Sequence, residues 1–125
     1  ERFPLETLLP AIGQGALGLE TRLNDAFTRS AVEPLGDAAT HAAVLAERSM
    51  LTALEGGCLT PIAALARVEK GVLTLQGRVV DPSGRVQIDA ADSSGPEEAI
   101  RIGQQVAAAL LARGAADLIR AAREG

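Results

Sequence analysis

Between Asp37 and Glu55 the apolar residues return with a helical period. Ala43, Val44, Ala46, Met50, Leu51 and Leu54 make one broad stripe, which predicts an amphipathic helix. Asp37 or Thr40 is placed to cap its start. Gly56 and Gly57 are placed to stop it, because glycine enters the left-handed region without steric cost. From Pro61 onward the period changes from helical to two. Val72, Thr74, Gln76 and Arg78 alternate with Leu73, Leu75 and Val79. The stretch "EKG" at 69–71 and "DPSG" at 81–84 are turn signals, so residues from about 63 to 91 predict an antiparallel meander of three strands. Pro96 then opens a helix running to about Arg113, with Ile102, Val106, Ala109 and Leu110 on one face. Gly114 breaks it. A last helix places Ala115, Leu118, Ile119 and Ala122 at i, i+3, i+4 and i+7.

A helix, three strands and two helices predict a small α+β domain over residues 38–125, its antiparallel sheet covered by helices on one face. Residues 1–37 read differently. Pro4 and Pro10 interrupt the first stretch, and residues 15–20 alternate loosely enough to predict a strand. Asn24 or Asp25 can cap a short helix that Pro34 and Gly36 end. This part does not obviously belong to the core of the domain. Leu5, Leu8, Leu9, Ile12, Leu17 and Leu19 are expected to be exposed in it when nothing else covers them.

Composition narrows the function classes. Of 125 residues 47% are hydrophobic, and Phe3 and Phe27 are the only aromatics, so the core is aliphatic. A formal net charge of -4 weighs against a nucleic-acid groove or an anionic membrane surface. No apolar run approaches the ~18 residues of a membrane span. The first residues carry neither a starting Met nor a basic, then apolar leader, and read as a cut or processed end. Cys58 is the single cysteine, which excludes an internal disulfide and fits a reducing, cytoplasmic setting.

Two stretches carry candidate chemistry. The first, "PAIGQGALGLE" at 10–20, contains a literal G-x-G-x-x-G at Gly13, Gly15 and Gly18. A dinucleotide loop needs a strand before the first glycine and a helix opening at the last, with an acid about 20 residues on. Glu33 meets the last requirement. The others fail, because Pro10 sits where a central strand would donate ladder hydrogen bonds and "LETRLN" follows Gly18. The glycines therefore read as a hinge where the backbone needs unusual angles or close approach.

The second is "AERSMLTALEGGCLTPIA" at 46–63. A cysteine after a helix and two glycines is either a small buried hydrophobe or a thiol kept bare for a bulky partner. The helix C-terminus and Glu55 both raise a thiol pKa, so Cys58 is poorly placed as a repeatedly used thiolate. His41 lies about four to five helical turns away and cannot pair with it. A lone cysteine is no zinc site, which takes about four ligands. What remains is a thiol that reacts once with a strongly electrophilic partner and serves as an anchor.

In this order, "LPAIGQGALGLE" with Arg22 and then "ERSMLTALEGGCLTPIA" resemble the C-terminal part of the porphobilinogen deaminase (hydroxymethylbilane synthase) family. The L-E-G-G-C-x-x-P-I run carries most of the resemblance, which covers essentially all of this chain but only the last third or so of a family member. It implies a smaller third domain behind two upstream domains, with residues 1–37 as an interdomain hinge and the tail of those upstream domains. It implies a covalent dipyrromethane cofactor, held by a thioether at the position of Cys58, to which four porphobilinogen units are added with loss of ammonia. Gln14 and Gly15 match the interdomain cleft near the growing pyrrole chain. Arg22 and Arg48 match family arginines near the active site, where a planar guanidinium suits acetate and propionate carboxylates. Gly56 and Gly57 match the loop that bares the cysteine. Loss of ammonia from porphobilinogen leaves an electrophilic methylene pyrrolenine, and thiol attack on it gives a stable thioether. The family's catalytic aspartate lies upstream, so the chain alone is expected to be inactive. The competing expectation is an isolated α+β binding or assembly module with Cys58 unmodified.

Overall fold

The alternation of bulky and small residues along the strands decides how the sheet receives its helices. In the computed structural model, which describes residues 2–5, 7–55 and 60–124, three strands run antiparallel in sequence order. They are β1 (Ile62–Glu69), β2 (Val72–Val80) and β3 (Gln87–Ser94). The register sets Ala64 opposite Gly77 and Gly77 opposite Ala90, a row of small residues across all three strands. Leu73, Leu75 and Val79 flank this row and are buried. The row forms a trough. A Cβ added at Gly77 would lie 2.5 Å from Met50 Sδ and 3.1 Å from Leu110 Cδ1.

Met50 and Leu110 come from the two helices that cover this face, α2 (Ala38–Ala53) and α3 (Ala99–Ala112), while α1 (Ala26–Val32) lies earlier in the chain and α4 (Ala115–Glu124) ends it. The Asp37 carboxylate caps α2 by accepting from the Thr40 N–H at 3.0 Å. Ile102, Val106 and Leu110 of α3 are buried, as are Ala115 and Ile119 of α4. The two turns behave as their residues require. Lys70 and Gly71 both have positive φ, 50° and 77°, the signature of a two-residue type I′ hairpin. Gly84 N–H donates to Asp81 C=O at 2.9 Å and closes the second turn. The α+β architecture and its sheet thus agree with the pattern of the sequence.

Several elements differ in detail. Residues 15–20 form no strand; Leu17 and Leu19 alternate but find no ladder partner. The buried apolar line of α2 is Ala42, Ala46 and Met50, continued by Leu54 just past its end, with Val44 and Leu51 only half-buried on its flanks. That helix ends at Ala53, and Glu55 takes the left-handed conformation after it, with φ 52°; Gly56 and Gly57, expected to stop it, lie outside the described residues. β3 continues to Ser94, beyond the expected end near Ala91. Pro96–Glu98 form a 3-10 turn before α3 begins at Ala99.

The larger difference concerns the first residues. Leu9 is only 6% exposed and joins the core, and Ile12 packs partly against it. The expectation that both are exposed is corrected by the outer edge of β1, which offers unpaired backbone donors to whatever lies beside it. Pro10 C=O accepts from Ala64 N–H at 3.1 Å, and Ala11 bridges antiparallel to Ala63. Thr7 C=O accepts from Arg78 Nη1 at 3.2 Å. Beyond this docked stretch exposure rises sharply: Leu17 is 97% exposed, and Leu19, Leu23 and Phe27 are exposed too. Among the described residues no helix is long and apolar enough to cross a membrane.

Candidate functional site

Two adjoining grooves run along α2, and the glycine-rich segment contributes to both. In the first, residues 16–19, Thr21, Arg29 and others of the 29–37 stretch line a cavity of about 650 Å³ together with His41 and Arg48. In the second, Gln14 and Gly15 lie with Ala43, Glu47, Arg67 and Glu69 around a groove of about 420 Å³. Thr40 and Val44, one turn apart on α2, line both, as do Ala16 and Asp37.

Gln14 and Gly15 therefore sit together in the second groove, Arg48 lines the adjoining first one, and Arg22 lines neither groove and is exposed. Among the described residues neither Arg22 nor Arg48 makes an ion pair, whereas Arg29 pairs with Glu33 at 3.3 Å. Gly56, Gly57 and Cys58 lie outside the described residues. The base of their loop is described on one side. Glu55 C=O accepts a hydrogen bond from the Arg123 guanidinium of α4, so the last helix reaches back to the end of α2.

In the second groove stands Glu47, which the sequence reading did not single out. It is 7% exposed, and its carboxylate accepts from Gly13 N–H at 2.7 Å and from Ala66 N–H at 2.8 Å. Burial pushes its pKa up, and the two backbone donors pull it down by less. A signal was present in the sequence. An acid stands inside the apolar stripe of α2, four residues after Ala43 and three before Met50, where a charge is unexpected unless something satisfies it.

The family model described as "Porphobilinogen deaminase, C-terminal domain" matches residues 41–112. A curated porphobilinogen deaminase from Acidithiobacillus ferrooxidans is 45% identical over 119 residues, which is 95% of this chain and 38% of the relative. One from Moorella thermoacetica is 43% identical over 120 residues, 96% of this chain and 38% of the relative. A third, from Syntrophobacter fumaroxidans, is 47% identical over 107 residues, 86% of this chain and 35% of the relative. The chain thus spans well under half the length of these relatives. With the family match covering α2, the sheet and α3, the chain belongs to the porphobilinogen deaminase family, as its C-terminal domain.

Proposed function

We propose that this chain is the cofactor-bearing C-terminal portion of an enzyme that joins four porphobilinogen units, with loss of ammonia, into hydroxymethylbilane for tetrapyrrole synthesis. The observation that carries the reading is likeness to an enzyme named porphobilinogen deaminase along 95% of the chain. Cys58 is the proposed attachment point of dipyrromethane, through a thioether. When bound, that group supplies the primer on which the pyrrole chain grows.

The residues beside α2 fit such a group. Two linked pyrroles carry carboxylates on flat apolar rings, and they need cationic donors next to an aliphatic wall. The larger groove offers Arg48 and Arg29 with Thr21 and Thr40, and apolar surface from Leu17 and Val44. Its size is within the range of small-molecule sites, roughly 300–1,000 Å³. Arg48 would bind a pyrrole carboxylate bidentately, and Gln14 and Gly15 would bound the path of the growing chain from the adjoining groove. Arg22, exposed and outside both grooves, would serve a carboxylate only when the upstream domains close over it.

No residue of this chain is assigned the catalytic acid; that role falls to an upstream aspartate, so the chain alone does not deaminate porphobilinogen. The test is consumption of porphobilinogen by the purified chain and by the chain co-expressed with the upstream portion of the enzyme. Activity only in the second sample supports the reading. Turnover by the chain alone contradicts it.

A further inference from the structure

A carboxylate taken out of water needs a partner, and Glu47 has no cationic one among the described residues. Its two oxygens instead accept from two backbone N–H groups that belong to different parts of the fold. The first is Gly13 N–H, in the turn that Gln14 N–H closes on Ala11 C=O at 3.2 Å. Gly13 has φ 75° there, and a Cβ at that position would meet nothing within 4 Å. The glycine is thus required by the backbone angle and not by space, and that angle aims its N–H at the carboxylate. The second is Ala66 N–H. Along the free edge of β1, Ala64 N–H is taken by Pro10 C=O and Ala66 N–H, two residues on, by Glu47. The side chain continues the work of a neighbouring strand where that strand has turned away.

We propose that Glu47 is a positioning residue, a latch whose two carboxylate oxygens fix the 11–14 turn to α2 and to the edge of β1. The latch holds Gln14 and Gly15 in the groove that Glu47 lines and leads residues 16–19 into the adjoining groove that Arg48 lines. What this does for a growing pyrrole chain rests on the function proposed above; the latch itself does not. The chemistry makes the site strict. A glutamine has one acceptor oxygen, and its NH2 would face the second N–H donor to donor. An aspartate is one methylene short of spanning both contacts. Neither substitution replaces the glutamate.

The test uses the isotopically labelled chain and needs no substrate. In the wild type, the amide proton shifts of Gly13 and Ala66 should move together through one common midpoint as pH is lowered, because both report protonation of a single carboxylate. The other ionisable side chains lining the groove with Glu47 are Asp37, Arg67 and Glu69. An Asp37→Asn or Glu69→Gln variant should leave that midpoint in place. In Glu47→Gln the common titration should vanish, and exchange at the Gly13 amide should quicken about tenfold or more while Leu75 in β2 keeps its protection. Separate midpoints for Gly13 and Ala66, or equal changes at Gly13 and Leu75, would overturn the proposal. If Glu47→Gln does not fold, the wild-type titration decides alone. A chain that never acquires a group on Cys58 would sink the proposed function and leave the latch standing.

Discussion

Gly103 of α3 rests directly on the backbone of α2 at Ala46. A Cβ on Gly103 would lie 2.5 Å from Ala46 O and 2.8 Å from Met50 N, atoms that no rotamer change can move aside. Ser49 Oγ strengthens the same contact by donating to Ile100 C=O at 2.8 Å. The two helices over the sheet are thus held at glycine distance. Gly103→Ala should lower stability by about 1–3 kcal/mol through overpacking, although alanine is the better helix former by about 1 kcal/mol. Urea unfolding checks this; a midpoint at or above wild type would show that the helices separate without cost.

Arg78 ties the first residues to the sheet. Its side chain is 12% exposed, its Nε donates to Asp89 Oδ1 at 2.6 Å across β2 and β3, and its Nη1 reaches Thr7 C=O. Arg78→Ala should cost about 1–3 kcal/mol, since it removes hydrogen bonds made by a charged group to Asp89 and to Thr7 C=O. It should also open residues 2–10 to proteases before the domain unfolds. Equal cleavage of both proteins in limited digestion would contradict this role.

The raised pKa of Glu47 fixes the sign of a pH effect. A carboxyl group whose folded pKa lies above its unfolded value contributes stability that is full below the unfolded value, about 4.5. That contribution is lost as pH rises through the folded pKa. The stability difference between wild type and Glu47→Gln should therefore fall as pH climbs from about 4.5 toward neutrality. The lowered pKa values of Asp25, Asp37 and Asp81 act in the opposite sense at lower pH and cancel in the difference. Urea titrations of both proteins at several pH values read it; a flat difference contradicts it.

The hairpin between β1 and β2 places a lysine at a position that favours asparagine. Lys70 has φ 50° ahead of Gly71 at φ 77°. Lys70→Asn should stabilise the chain by up to about 1 kcal/mol, because Asn-Gly suits a type I′ turn and asparagine tolerates the left-handed region. Thermal unfolding would show it as a raised Tm, and a lowered one would refute the turn assignment.

The sheet was legible because Leu73, Leu75 and Val79 alternate with polar residues, and a period of two admits one inward face. The helix α2 was legible in extent and less so in orientation. Its alanines give little contrast between neighbouring faces, so the buried line falls on Ala42 and Ala46 and leaves Val44 at the groove. The docking of Leu9 and Pro10 on β1 was not legible, because edge pairing between distant segments leaves no period in either. The loose alternation of Leu17 and Leu19 misled for the converse reason: alternation without a partner strand makes no ladder. Of the candidate site, the motif around Cys58 announced the family. That Gln14 and Arg48 line two adjoining grooves was not legible, because the turn before Gln14 is bonded to Glu47 through backbone contacts that sequence does not display.

The central claim is that one thiol carries the primer. Intact-mass measurement of this chain, co-expressed with the upstream portion of the enzyme, tests it most directly. The account predicts an added mass of two linked pyrrole units on Cys58, and none on Cys58→Ala. An unmodified thiol in an active enzyme, or an adduct that survives Cys58→Ala, would contradict it.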